Sequence, residues 1–411
     1  MTRTDFTKSS LFGWCLFDFA NSIPAVIGGV YFAKWYTDDL GAGSIAFNLI
    51  FIFSSAVIML TGRWVGHSID KHGYKYWIKL SAAISIISIL LLFVASQVLP
   101  RYTLPYVTFI LFLFFLFGYQ VGRICHNTYL RGIIPERLQT KMSGLGAAAN
   151  WAGSIVGILL TIPVVTIYTG SFARELTFLV AGVAYGVLMP LSLVWMFRSD
   201  RPLSHLAVSH EHVDLKTWRT LIASAGLLLL TYLFLFDVMA TVQRNLPPFL
   251  SNVYLMSDDV QAGGFLLILV AALLGGVFAA RFVDFTNSIR WLRLGSVLLG
   301  IGILLITINA TSLWIAFVVA GFSYGLLESA IRVSFMARFS SESAGENFGV
   351  LAIVERTSSV VGPMVWIIPF YVIANENSAY IYAMLSMAIL VGLALTVLSR
   401  HPKSSLSGAS R

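Results

Sequence analysis

Apolar runs of about twenty residues recur along the whole 411-residue chain, at about 11–34, 44–64, 77–99, 104–129, 142–168, 175–197, 218–243, 259–282, 290–309, 311–336, 347–372 and 378–398. A helix rising about 1.5 Å per residue needs about 20 such residues to cross the hydrocarbon core of a bilayer. The runs therefore predict an all-α membrane protein with about twelve transmembrane helices. Composition agrees: 57% of residues are hydrophobic and 11% are charged, against about 25% charged in a soluble domain. The first run follows a polar start, is too long for a signal-peptide core, and has no small-residue cleavage site after it, so it reads as a retained helix.

The charge of +8 does not point to nucleic acid. The basic residues cluster in short segments between apolar runs, as topology signals do. With both termini inside, twenty Lys and Arg fall in inner segments and three, Lys34, Arg101 and Arg174, in outer ones; Arg123, Arg244, Arg332 and Arg356 lie in or at the edge of spans. This bias predicts both termini in the cytoplasm, and a multi-pass protein of the plasma membrane is expected. The polar stretch Arg198 to Lys216 reads as a solvated cytoplasmic linker, and its His205, His210 and His212 have no regularly spaced acidic or Cys partner for a metal. The two cysteines, Cys15 and Cys125, lie inside apolar runs and give neither a disulfide framework nor metal-site spacing. No cofactor is expected.

Two halves follow from that linker: residues 1–197, a linker at 198–217, and residues 218–411. They carry matching small-residue patterns. Gly66-x-x-x-Asp70 is echoed by Ala280-x-x-x-Asp284, Gly118-x-x-x-Gly122 by Gly321-x-x-x-Gly325, and Ser154-x-x-Gly157 by Ser359-x-x-Gly362.

Charged residues inside spans carry the functional expectation, because a mid-membrane Asp costs roughly 2.5–3.5 kcal/mol and must face protein or a water-filled cavity. Asp18 stands about two turns into the first span, with Asn21 at i+3 on the same face. Asn21 can hydrogen-bond either protonation state of a carboxyl. Arg123, His126 and Asn127 fall at i, i+3 and i+4 of the fourth span, a set that suits a carboxylate and can sense pH, or an end where Arg123 snorkels to the headgroups. Asp237 lies in the seventh span, with Arg244 at i+7. In the tenth, Glu328 and Arg332 form an i, i+4 pair. In the eleventh, Glu355 and Arg356 point about 100° apart, so at least one is expected to pair with another helix. Between spans two and three, Gly66 and Gly73 permit a tight turn, with Asp70, Lys71 and Lys75 interleaved.

The run Gly13-Trp14-Cys15-Leu16-Phe17-Asp18-Phe19-Ala20-Asn21-Ser22 resembles the opening motif of the vacuole-effluxer branch of the major facilitator superfamily: a tryptophan, an aromatic, Asp, an aromatic, then Ala-Asn-Ser. Both aromatics flanking Asp18 are Phe here, where Tyr and Trp are commoner. The Gly66-to-Lys75 segment resembles that superfamily's signature loop. Asp237 with Thr241 four residues later, Arg332, and the Phe348-Gly349 to Gly362-Pro363 spacing resemble further effluxer motifs, although Phe236 and Val238 replace the usual Asn and Gly around the Asp, and Ile331 and Val333 replace serines. The resemblance implies a major facilitator fold of two six-helix bundles. It also implies a gating role for Gly66, Asp70, Lys71, Gly73 and Lys75, with Asp284 as a weaker second-half copy.

The implied activity is secondary active transport of a small polar or charged solute, an amino acid or similar metabolite, by alternating access, with protons or another ion as coupling partner. Solute, bilayer and coupling ion are the expected partners, and a monomer is the expected state. A cation-coupled sugar symporter is the alternative within transport; the stretch Tyr36 to Gly41 is similar to that family, but its Asp-rich second span is missing. A solute-binding receptor or scaffold is the alternative of another class. No Walker loop, HExxH or GxSxG is present, and an enzyme is not expected.

Overall fold

A computed structural model describes residues 8–199, 215–339 and 343–400. Every regular element among them is helical: α1 (Lys8–Ile27), α2 (Gly43–His72), α3 (Tyr74–Val98), α4 (Leu104–Gly132), α5 (Glu136–Ile167), α6 (Gly170–Met196), α7 (Leu215–Tyr254), α8 (Asp258–Phe282), α9 (Ser288–Ile306), α10 (Ser312–Met336), α11 (Ala344–Val372) and α12 (Glu376–Ser399). Among the described residues, twelve helices are long and apolar enough to cross a membrane. Most of the expected linker, with His205, His210 and His212, lies outside the described residues.

The helices overrun the apolar runs where hydropathy and helicity part company. The segment after α1 continues as two π-type stretches, Gly28–Phe32 and Trp35–Asp39. The apolar run in the seventh span stops at 243, yet α7 continues through Gln243-Arg244-Asn245 and past Pro247 and Pro248 to Tyr254. The turn expected across Gly66 to Gly73 is confined to its end. Gly66 is inside α2, and only Gly73, with φ of +90° and its amide on the Ile69 carbonyl at 2.9 Å, breaks the helix.

The chain divides into two compact units. Among the described residues the first holds 8–138, 149–199 and 343–353, and the second holds 139–148, 215–339 and 354–400. Helices α5 and α11 are thus each shared: a first stretch of one joins the unit formed mainly by the other half of the chain.

In the first unit α1 packs on α6, α3 on α4 and α6, and α2 on α4. Contact is close because small residues meet backbone. A Cβ at Gly13 would collide with the Met196 amide nitrogen of α6, and one at Gly153 with the Phe19 carbonyl of α1. Ile23, Ile27, Phe32, Phe112, Phe115 and Phe178 belong to one buried cluster, in which Phe32 stacks on Phe112 at 3.7 Å and 6°. The second π-type stretch is tied to α6 by polar contacts. Arg174 grips Asp39 through both Nε and Nη2, and Trp35 Nε1 donates to Glu175 at 3.2 Å.

In the second unit α10 packs on α8 and α9, and α12 on α7 and α9. Two of the three sequence echoes have matching surroundings. Gly66 of α2 is pressed against the Gly345 carbonyl of α11, while Ala280 of α8 is pressed against Gly144 of α5. Gly157 of α5 faces Ile23 and Val26 of α1, while Gly362 of α11 faces Asp237 and Thr241 of α7. The Gly118 and Gly321 pairs differ: the first meets Ser81 and Ser85 of α3, the second meets Ile268 and Ala271 of α8. A four-residue glycine spacing prepares a helix face for close approach without choosing the neighbour.

Candidate functional site

Asp18 and His126, 108 positions apart, meet in the first unit. The contact is built by the opening turns of α1. Trp14 and Asp18 stand one helical turn apart, with Phe17 beside them. Trp14 Nε1 donates to the His126 carbonyl at 3.1 Å, and His126 Nε2 returns a hydrogen bond to the Trp14 carbonyl at 2.9 Å. A carbonyl only accepts, so Nε2 carries a hydrogen. The imidazole is sandwiched between the Trp14 ring, at 4.1 Å and 13°, and the Phe17 ring, at 4.5 Å and 12°. This orientation leaves Nδ1 facing Asp18 Oδ1 at 3.4 Å. His126 is 1% exposed and Asp18 7%.

With Nε2 committed as a donor, a hydrogen bond between Nδ1 and Oδ1 needs one proton between them. The proton sits on the imidazole, giving a cation beside a carboxylate, or on the carboxyl, giving two neutral groups.

The remaining residues of the two helices separate from this pair. Asn21 does not share Asp18's partner; its Oδ1 accepts from Tyr185 OH at 3.0 Å. Arg123 and Asn127, one turn apart, are half-buried. Arg123 lies over the Tyr119 ring at 6.0 Å, and Asn127 Oδ1 is buried with no hydrogen-bond partner. His126 is rotated about 60° from Arg123 around α4, enough to turn it to α1.

In the second unit, the buried Asp237 accepts the Gly362 amide hydrogen at 2.5 Å. Arg244 lies within electrostatic reach of both Asp237 and Arg356. Glu328 and Arg332 approach to 3.5 Å. Arg356 Nη2 donates to Glu355 at 2.7 Å, because two long side chains bridge the 100° between neighbours. Tyr324 OH, not singled out by sequence, donates to the Met239 carbonyl at 3.2 Å.

The Gly66-to-Lys75 segment supplies a separate contact in the first unit. Asp70 accepts the amide hydrogens of Gly345 and Glu346, each at 2.8 Å, so its carboxylate caps the first turn of α11. Arg63 Nε donates to Glu346 at 2.9 Å. Gly66 lets the α11 backbone approach where any Cβ would collide with the Gly345 carbonyl. Lys71 is exposed, and Lys75 lies over the Phe197 ring at 5.4 Å. Asp70 therefore holds backbone amides of a helix start. Asp284 is turned onto its own loop, accepting from the Thr286 and Asn287 amides at 2.8 and 2.9 Å.

Sequence reasoning missed Trp14 and Phe17 as the two walls of the histidine. Phe17 and Asp18 follow Trp14 at i+3 and i+4, on one side of the helix, but no sequence signal named His126 as the occupant of that side.

Among the described residues, twelve membrane-length helices with charged groups inside the spans define a multi-pass membrane protein. The family model of the Major Facilitator Superfamily matches residues 11–363, and the chain belongs to that superfamily. It is 22% identical over 379 residues to an uncharacterized protein of Aquifex aeolicus, covering 90% of this chain and 92% of that one. It is 26% identical over 228 residues to a putative sulfoquinovose importer of Salmonella typhimurium, covering 52% of this chain and 46% of that one. The fold is similar to that of the E. coli fucose:proton symporter FucP, with a TM-score of 0.69 at 12% identity, covering 98% of this chain and 100% of the other.

Proposed function

We propose that the protein is a secondary active transporter of a small polar or charged solute, an amino acid or similar metabolite, and that Asp18 and His126 together take the coupling proton. The observation that carries the reading is the 3.4 Å approach of Nδ1 to Oδ1 with Nε2 already committed to Trp14. A buried pair that needs one shared proton can accept it from one side of the membrane and release it to the other as the protein alternates. Charged side chains of both signs, among them Arg123, Asp237, Arg244, Glu328, Arg332, Glu355 and Arg356, suit a zwitterion or organic ion. The Gly13-to-Ser22 motif supports a place in the vacuole-effluxer branch. The Asp70 cap on α11 supports a latch that is made and broken during transport. Lys and Arg placement supports a plasma-membrane protein with both termini in the cytoplasm and bundles of residues 1–197 and 218–411.

A cation-coupled sugar symporter is the second reading, favoured by the partial likeness to the putative sulfoquinovose importer. Reconstituted vesicles separate the outcomes. Asp18→Asn presents an amide to a neutral His126 and fixes the pair in its neutral form. The variant, and His126→Gln, should exchange solute across vesicles but lose accumulation driven by a pH gradient. Accumulation equal to the parent's at every pH would overturn the proton assignment, and selective uptake of sugars over amino acids would decide for the second reading.

A further inference from the structure

Asp237 and Thr241 form a second constellation that the proton pair does not use. Both residues are 0% exposed. Asp237 Oδ1 takes the Gly362 amide hydrogen, but its Oδ2 is buried with no hydrogen-bond partner, and so is Thr241 Oγ1. A carboxylate has lone pairs for about four donors, and buried polar groups are normally satisfied. Helical threonines commonly return their hydroxyl hydrogen to the carbonyl four residues back. Thr61, Thr128, Thr231 and Thr396 do so. Thr241 does not. Its oxygen faces Gly362, where a Cβ would collide with it and lie 2.5 Å from Asp237 Oδ1. Thr241 Oγ1 and Asp237 Oδ1, the oxygen bonded to the Gly362 amide, thus both pack against Gly362, with Oδ2 on the same carboxylate. At the next residue Pro363 has no amide hydrogen, so the Ser359 carbonyl loses its ordinary helical donor.

We propose that Asp237 and Thr241, with the carbonyl freed by Pro363, bind a small monovalent cation of the sodium type. The donors are all hard oxygens, which suit alkali and alkaline-earth ions over softer metals, and a single carboxylate balances one positive charge. Gly362 is required because a Cβ there would collide with Thr241 Oγ1 and Asp237 Oδ1. Arg244 competes for the same carboxylate, since it lies within electrostatic reach of Asp237. Cation binding therefore screens the carboxylate from the guanidinium, which links the ion to whatever Arg244 holds.

The proposal is independent of the transport reading, because binding is measured without transport. Purified full-length protein is titrated with radiolabelled sodium in a scintillation-proximity assay, with choline holding ionic strength constant. The parent should bind sodium saturably. Asp237→Asn should abolish binding. Thr241→Val keeps shape and removes the oxygen, and should weaken affinity about tenfold, the scale of a lost contact at an ion site. Arg244→Gln should tighten binding. No saturable binding by the parent, or parental affinity in a monodisperse Thr241→Val protein, overturns the site. If Asp237→Asn fails to fold, Thr241→Val and Arg244→Gln still decide, since a structural role for Asp237 predicts no sodium dependence in either.

Discussion

Asp70→Asn tests how α2 holds the first turn of α11. The Gly345 and Glu346 amides belong to the opening residues of a helix, which have no intrahelical acceptor. Asp70 supplies one through each carboxylate oxygen, at 2.8 Å. Hydrogen bonds to a charged acceptor contribute about 1.5–3 kcal/mol each. Asparagine keeps one acceptor oxygen, now neutral, and turns an NH2 donor toward the other amide. One bond is lost outright and the other is weakened, a cost of about 3 kcal/mol, or on the order of a hundredfold in the equilibrium between capped and uncapped α11. Amide hydrogen exchange reads this directly. A peptide covering Gly345 and Glu346 should exchange on the order of a hundred times faster in the variant, while the interior of α4 keeps its protection. Transport in vesicles should fall, with solute affinity within a few fold of the parent's. Unchanged exchange at Gly345 and Glu346 would refute the capping argument, and unchanged transport with accelerated exchange would refute the latch.

Two further outcomes follow from packing and charge. Glu328→Gln or Arg332→Gln alone leaves one charge among buried groups and should lower folded yield or stability by about 3 kcal/mol, whereas the double variant should recover most of it; a double variant no better than the worse single refutes their partnership. Gly153→Val drives a side chain into the Phe19 carbonyl of α1 and should cost about 1–3 kcal/mol, seen as a Tm several degrees lower in a thermal-unfolding assay of purified protein.

Hydropathy alone was enough for the helices. A backbone in hydrocarbon must satisfy its own hydrogen bonds, so runs of about twenty apolar residues could become little else, and the described residues form twelve membrane-length helices. Sequence also marked the charged residues, because each is costly where it stands. What it did not hold is which helix each of them faces. Helical phase places Asp18 and Asn21 on one side of α1, yet the first meets His126 of α4 and the second Tyr185 of α6, since two neighbours divide that side. Phase grouped Arg123, His126 and Asn127, yet the imidazole is drawn away by the slot between Trp14 and Phe17. Asp70 and Asp284 occupy matching sequence positions, but Asp70 reaches a helix start while Asp284 closes its own loop. Gly362 was legible as part of a Gly-Pro pair, but the hydrogen bond its amide donates to a carboxylate 125 positions away exists only because α7 and α11 pack at backbone distance. A local pattern fixes the face a residue occupies on its own helix; the partner across that face is set by how the helices are packed.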